Sequence, residues 1–290
     1  MRKHWLPWLI LAPSLLFLVL FTYFPLFRSV YDSLFDTRMA GDTALFVGAG
    51  NFIRLFDDQV FWRALFNNLA YILLTVIPGI VLSLLLAVAL WENHAVNRWL
   101  RTAFFFPMII PMVSAAALWL FIFMPGIGLL DYYLAKLFGP MNNNYLGHSN
   151  SALFALAIIG VWKFAGYYML FFLAGLQGIP PSTREAAVME GATSIQIFFR
   201  VTQPLLRPTL SFVLTTALIY SVTQIDHVAV MTHGGPDNAT TVLLYYIQNL
   251  AWDTHDLGKA SAATFLTLAG LFIFSLINLK VLEKGAHYER

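Results

Sequence analysis

The sequence predicts an all-α integral membrane protein with six transmembrane helices, and three observations carry that reading. First, 59% of the 290 residues are hydrophobic and only 11% are charged, whereas a soluble domain carries roughly 25% charged residues. Such a chain could not cover a water-facing surface. Second, His4–Phe27, Ala64–Trp91, Thr102–Leu130 and Ala260–Leu279 contain no Asp, Glu, Lys or Arg. Each reaches the ~20 residues that a helix needs to cross a bilayer core. Third, two further apolar segments, about Ala152–Gly175 and Thr209–Met231, carry one charge each, Lys163 and Asp226. A membrane barrel would show short alternating segments instead.

The spans fall at about 5–27, 67–91, 103–124, 152–175, 209–231 and 260–280, in one transmembrane domain over 1–290. Arg2 and Lys3 precede the first apolar run as they would in a signal peptide. The run from Trp5 to Phe27 exceeds a typical h-region, however, and ends in Tyr-Phe-Pro-Leu-Phe without a small-residue cleavage site. It is read as a retained first helix. The loop that follows contains Gly41, Gly48 and Gly50, then a stretch at Asn51–Phe66 expected to form a short interfacial helix. Pro78 interrupts the second span, and Pro107 and Pro111 the third. Membrane helices tolerate such breaks where neighbouring protein satisfies the freed carbonyls. A cavity-lining or moving break and a simple kink both fit. Trp5, Trp8, Tyr23, Trp91, Trp99 and Tyr132 lie near span ends, where interfacial aromatics belong. With six spans, 1–4, 92–101, 176–208 and 280–290 share one side and hold ten Lys/Arg, against six in 28–63, 125–151 and 232–259. That excess places both termini in the cytoplasm.

Composition also removes several functions. A formal net charge of +2, with scattered basic residues, offers no field for nucleic acid. The absence of cysteine excludes disulfides, Fe–S clusters and thiol catalysis. No G-x-x-x-x-G-K-[ST], H-E-x-x-H, G-x-S-x-G or acidic metal loop occurs, so no catalytic, cofactor or metal residue is assigned. His4, His94, His148, His227, His233, His255 and His287 are dispersed and are read as hydrogen-bonded structural residues. Active transport would need energy from a partner or an ion gradient.

The segment 176–208 is too polar to cross and carries local helix signals. Ser182 with Glu185 has capping-box spacing, and Thr193 with Gln196 repeats it. Gly191 suits the left-handed turn between two short helices, and Pro204 is expected to end the second. Ala186, Ala187 and Ala192 keep the first helix and the turn narrow, permitting close backbone approach. Ile195, Phe198, Phe199 and Thr202 follow i, i+3, i+4, i+7 spacing and form one largely apolar face. This face could dock a partner or pack on the chain's own spans.

Glu185-Ala186-Ala187, then Gly191, Ile195-Gln196-Ile197-Phe198-Phe199, Pro204 and Pro208 resemble the EAA loop of ABC-importer permeases. The lead-in Leu176-Gln177-Gly178-Ile179-Pro180 and the later Thr232-His233-Gly234-Gly235-Pro236 with Thr240-Thr241 are similar to the carbohydrate-uptake group. The likeness runs from Leu11-Ala12-Pro13-Ser14 to the last span and is to glycerol-3-phosphate and maltose-type permeases. Two departures stand out: Glu190 where the family usually has Asp, and Gln203 where Leu commonly precedes the proline. The first keeps the charge; the second removes an apolar contact.

The resemblance implies a type I importer permease fold in a bacterial inner membrane. It implies a second permease subunit, two cytoplasmic ATPases that bind ATP and Mg, and an extracytoplasmic solute-binding protein. It also makes Glu185, Ala186, Ala187, Gly191, Ala192, Ile195, Phe198 and Pro204 the ATPase-coupling residues, and adds an ATPase contact to the helix-start role that the Ser182–Glu185 spacing gives Glu185.

Ionisable residues inside a span begin as functional candidates. Lys163 lies 11 residues into the fourth span, roughly 16 Å deep at 1.5 Å per residue. Asp226 lies 5 residues from the outer end of the fifth, roughly 8 Å deep on the same rise. They could form an ion pair or meet the solute. Tyr167, Tyr168, Tyr220, Thr223 and Gln224 are polar groups at similar depths, suited either to helix packing or to a sugar or polyol. The solute-path candidates are therefore Lys163, Tyr167, Tyr220, Gln224 and Asp226. A phosphorylated polyol such as glycerol-3-phosphate is the alternative solute. A secondary transporter or channel using Lys163 and Asp226 as an ion relay is the alternative mechanism.

Overall fold

The computed structural model describes residues 6–36, 45–139 and 144–283. Arg2, Lys3, His4, Trp5, Gly41 and His287 lie outside the described residues. Helices dominate. The first span is α1 (Leu6–Leu18), a π turn (Val19–Tyr23) and α2 (Phe24–Asp32) in unbroken succession. A two-residue hairpin, β1 (Phe35–Asp36) against β2 (Leu45–Phe46), pairs Phe35 with Phe46 and Asp36 with Leu45. Then come α3 (Gly50–Phe56) and the long second span α4 (Gln59–Ala89).

The third span is α5 (Ala95–Ile109) plus α6 (Met112–Ile122), bent by 100° at the break between them. After α7 (Leu129–Phe138), the fourth span is α8 (Ser149–Gln177). Three short helices follow: α9 (Pro181–Met189), α10 (Ser194–Ile197) and α11 (Gln203–Leu205). The fifth span is α12 (Arg207–Thr223) with α13 (Asp226–Met231); α14 (Leu243–Trp252) and the sixth span α15 (Leu257–Glu283) complete the order. Five helical stretches are long and apolar enough to cross a bilayer, and the bent pair supplies the sixth span.

Two expectations change. Asn51–Phe66 is not one interfacial helix: α3 ends at Phe56, and Gln59 onward belongs to the second span. The Asp58 carboxylate accepts the Val60 N–H at 2.8 Å and so starts that new helix. Pro78 does not break α4 and Pro107 does not break α5, whereas Pro111 does end α5. The residue before a proline is driven out of the helical region, and Ile110 sits at φ −68°, ψ 129°.

The described chain forms two compact units, one within Met1–Trp62 and Tyr246–Gly270, the other within Arg63–Tyr245 and Leu271–Arg290. In the first, polar side chains hold the pieces together. Buried Asn51 donates to the Ser33 and Phe35 carbonyls, both at 2.8 Å. Arg54 grips Asp256 through two bonds of 2.8 and 3.1 Å. The Asp58 carboxylate accepts from the Tyr246 hydroxyl at 2.7 Å and from Lys259 at 2.5 Å. Burial works to raise the Asp58 carboxyl; hydrogen bonds from Lys259, Tyr246 and the Val60 N–H, with the Lys259 charge, outweigh it and hold it below its ordinary value.

In the second unit, α8 is the central helix. Its inner face, including Leu156, Ile159, Met169 and Phe172, is almost wholly buried. One core cluster gathers α8 residues with Tyr71, Met112 and Val228; another gathers Phe172 and Leu173 with Val76 and Val213. Helix α5 approaches α8 so closely that a Cβ added at Gly166 would lie 1.8 Å from the Phe104 carbonyl oxygen. Only hydrogen fits there.

Gly166→Ala is expected to cut the abundance of membrane-inserted protein sharply, because relieving a backbone clash in a packed core costs ~1–3 kcal/mol; quantitative immunoblotting of membranes checks it. A second prediction concerns pH. A carboxyl depressed by folding contributes stability above its unfolded pKa, near ~4, and loses it as pH falls through the lower folded value. Asp58→Asn should therefore lower the apparent melting temperature of solubilised protein at pH 7, by about 2–4 °C per kcal/mol lost. The difference from wild type should close below pH ~4.

Candidate functional site

The loop between the fourth and fifth spans is an ordered helical element. Pro180 turns the chain at φ −57°, ψ 133°, and Pro181 opens α9. A proline suits the first helical position because its missing N–H would be unpaired there anyway. This displaces the expected Ser182–Glu185 capping box: Ser182 lies within the first turn and no side chain caps α9. Glu185 is therefore not at the helix start; it is exposed in the second turn.

The end of α9 follows expectation. Gly191 has φ +80° with open space around its Cα. The Gly191 N–H donates to the Val188 carbonyl at 2.9 Å and the Ala192 N–H to the Ala187 carbonyl at 3.0 Å, the paired bonds of a Schellman motif. The second capping box is present: the Thr193 N–H donates to Gln196 Oε1 at 2.9 Å, and the Gln196 N–H to Thr193 Oγ1 at 3.3 Å.

Pro204 does not end the second helix. Phe198–Thr202 widens into a π turn, and the chain stays helical through Pro204 to Leu205. In a regular helix the proline ring would clash with the carbonyl four residues back, and the wider turn accommodates it. The extra residue also rotates the faces. Ile195 and Phe199 point outward, 72% and 60% exposed, while Ile197 is buried and Phe198 half-buried. The expected Ile195/Phe198/Phe199/Thr202 stripe is thus divided. Inside the loop, Trp91, Arg184, Glu185, Ile197, Phe198 and Val201 line a groove. The Arg184 guanidinium lies 5.1 Å over the Trp91 ring. Ile195 and Phe199 stand outside the groove, and exposed Val188 and Met189 form its rim. The only trace of the Arg184–Trp91 contact in the sequence is an Arg beside the motif and a Trp closing the second span.

A second constellation is a narrow cleft where α4, α8 and α12 meet, lined by Tyr71, Thr75, Phe164, Tyr168, Tyr220 and Ser221. Phe164 stacks on Tyr220 at 4.9 Å and on Tyr168 at 5.9 Å. Of the five solute-path candidates, Tyr220 lines the cleft, and Tyr167 packs against it at 6.1 Å and against Phe171 at 4.9 Å. Gln224 occupies the extended break between α12 and α13, and Asp226 is an exposed residue in the first turn of α13. Thr75 and Tyr71, one helical turn apart in an apolar span, were the overlooked signal for the cleft.

Lys163 is elsewhere. It is 4% exposed, and its ammonium donates to the carbonyls of Pro107, Met108 and Ile110 at 3.2, 3.5 and 2.5 Å. Among the described residues no ion pair joins Lys163 to Asp226. The relay reading loses its geometry. His227 also departs from expectation: it is fully buried, 5.4 Å from the Tyr71 ring, and neither ring nitrogen has a hydrogen-bond partner among the described residues.

Six helical spans with a capped two-helix element projecting between the fourth and fifth define a polytopic transport subunit. The chain belongs to the family described as "Binding-protein-dependent transport system inner membrane component", whose model matches residues 79–284. It is a permease subunit of an ABC importer in the inner membrane, as the resemblance implied. It is 32% identical over 289 residues to the sn-glycerol-3-phosphate transport system permease protein UgpA of Escherichia coli (strain UTI89 / UPEC), covering 99% of this chain and 97% of that one. It is 32% identical to the probable ABC transporter permease protein YurN of Bacillus subtilis (strain 168), covering 97% of each. A chain of a crystallised bacterial ABC transporter that imports the acidic polysaccharide alginate has the same fold, with a TM-score of 0.83 at 22% identity over 98% of this chain and 96% of that chain.

Gly191→Asp places a side chain where an L-residue costs ~1–2 kcal/mol in the left-handed region. It is expected to reduce uptake at least tenfold while leaving membrane abundance near normal, measured by solute accumulation alongside immunoblotting.

Proposed function

We propose that this subunit carries an uncharged carbohydrate or polyol inward, together with a second permease subunit, two cytoplasmic ATPases and an extracytoplasmic binding protein. ATP and Mg belong to the ATPases, and this chain contributes no catalytic group. The alginate importer, whose structure was solved with a pentasaccharide-bound periplasmic protein, supports that assembly by analogy. Both termini and 176–208 lie in the cytoplasm, a reading supported by the Lys/Arg excess of those segments.

One observation carries the mechanism. The loop 176–208 connects α8 to α12, and the same two helices supply Phe164, Tyr168, Tyr220 and Ser221 to the cleft. Exposed Ile195, Phe199, Val188 and Met189 offer apolar knobs to an ATPase surface, with Glu185 and Ala186 exposed beside them. Closure of the ATPase dimer would push on this element, and its tight turn would transmit the push as a rigid-body movement of α8 against α12. The cleft would open and close without any relay. Gly191, Ala192 and the Thr193 cap hold the turn; Ala187 and Pro204 shape its two limbs.

The solute class rests on the cleft's chemistry. Its rings stack on C–H surfaces, and the Tyr, Thr and Ser hydroxyls both donate and accept, which suits a polyhydroxylated solute. A phosphorylated polyol is the second reading, favoured by the 32% identity to the glycerol-3-phosphate permease. A phosphate ester needs basic groups, and the Lys163 ammonium is already taken by three carbonyls.

Purification from native membranes, wild type beside Gly191→Asp, tests the assembly. An ATPase, a second permease and a binding protein are expected with wild type, with less ATPase in the variant. Recovery of stable wild-type protein without an ATPase would overturn it. Competition of uptake by uncharged sugars but not by sugar phosphates is the expected result for the solute class.

A further inference from the structure

We infer that Lys163 is the positioning residue of the broken third span, acting as a built-in counter-ion for the end of α5 rather than as a ligand for the solute. In a continuous helix the N–H of residue 111 would donate to the carbonyl of residue 107. Proline 111 has no N–H, and its presence forces Ile110 into an extended conformation. The chain then bends by 100° into α6. The Pro107, Met108 and Ile110 carbonyls are left at a helix end inside the bilayer, where an unpaired backbone group costs several kcal/mol. The Lys163 ammonium donates to all three.

It supplies the bond that Pro111 cannot, and it places a positive charge at the negative end of the helix dipole. Gly166, one turn further along α8, lets α5 come close enough for this reach. Nothing in this arrangement depends on which solute is carried.

The chain has no cysteine, so labels can be attached at chosen sites in it before it is assembled with its partners. Val96 on α5 and Phe121 on α6 are both exposed. Spin labels at Val96→Cys and Phe121→Cys, in the assembled complex in nanodiscs, report the bend as a distance distribution by pulsed electron resonance. Lys163→Met, similar in size but uncharged, is expected to broaden and shift the distribution, and Lys163→Arg to keep it near wild type. In uptake assays Lys163→Met should lower the maximal rate at least fivefold, with the half-saturating solute concentration within twofold of wild type. An unchanged distance distribution in Lys163→Met, or a change confined to half-saturation, would overturn the assignment. If Lys163→Met does not accumulate, adding Pro111→Ala, which returns a donor to the Pro107 carbonyl, is expected to restore it; failure to do so also counts against the proposal.

Discussion

The constraint behind most of this architecture is that a carbonyl inside a bilayer must find a donor. Prolines at 78, 107 and 111 each remove one there, Pro204 removes one in the loop outside, and the chain answers in different ways. Helix α4 absorbs Pro78 without a break, and a π turn makes room for Pro204. At Pro111 the helix stops, and a lysine from a neighbouring span closes its end. The end of α4 has its own basic partner. Arg101 donates to the Leu90 and Trp91 carbonyls, both at 2.9 Å, and so closes the end of α4 at the turn into α5. Thus α5 runs between two helix ends satisfied by cations, each matched to the negative end of a dipole.

The same reasoning explains why the loop between the fourth and fifth spans can act as a solid element. Loops usually leave backbone groups to water and move accordingly. Here a Schellman turn and a reciprocal capping box satisfy the groups on both sides of Gly191. The element is rigid locally, and its two limbs continue into α8 and α12 through proline-started helices. A push applied at Ile195 or Phe199 has few soft torsions in which to dissipate. The Arg184–Trp91 contact gives α9 a foothold at the end of the second span as well.

Much of this was legible in residues. The spans follow from charge-free length, Gly191 from the need for a left-handed residue, and the Thr193–Gln196 cap from its spacing. Each depends on local chemistry alone. The errors arose where two local signals competed. Ser182 had the spacing of a cap, but Pro181 starts the helix earlier and leaves Ser182 inside it. The face containing Ile195 and Phe199 was drawn at 3.6 residues per turn, and the π turn changed the phase after Ile197. Asn51–Phe66 looks like one helix in the sequence, but Asp58 caps the start of a second one. The cleft itself was half visible: Tyr220 was named for its depth, whereas Tyr71 and Thr75 join it only because α4 packs there. Lys163 is a different kind of miss. Its partners are backbone carbonyls 53 to 56 residues away, and no side-chain pattern announces a carbonyl.

The two charges that interrupt otherwise apolar spans invite pairing, yet each has a separate explanation in the breaks of the fold. The third and fifth spans are the two with interruptions, at Ile110–Pro111 and at Gln224–Ile225. Lys163 faces the C-terminal end of α5, and Asp226 stands in the first turn of α13. A cation near a helix C-terminus and an anion near an N-terminus are both favoured by the helix dipole. Two breaks therefore account for two charges without an ion pair between them. This also bears on transport. A buried lysine with a free ammonium could donate to an anion, whereas Lys163 already spends its N–H donors on three carbonyls. The lysine that looked like a solute ligand in the sequence is, by its hydrogen bonds, part of the backbone's own satisfaction. The cleft of this subunit, by contrast, is lined by aromatic faces and hydroxyl groups.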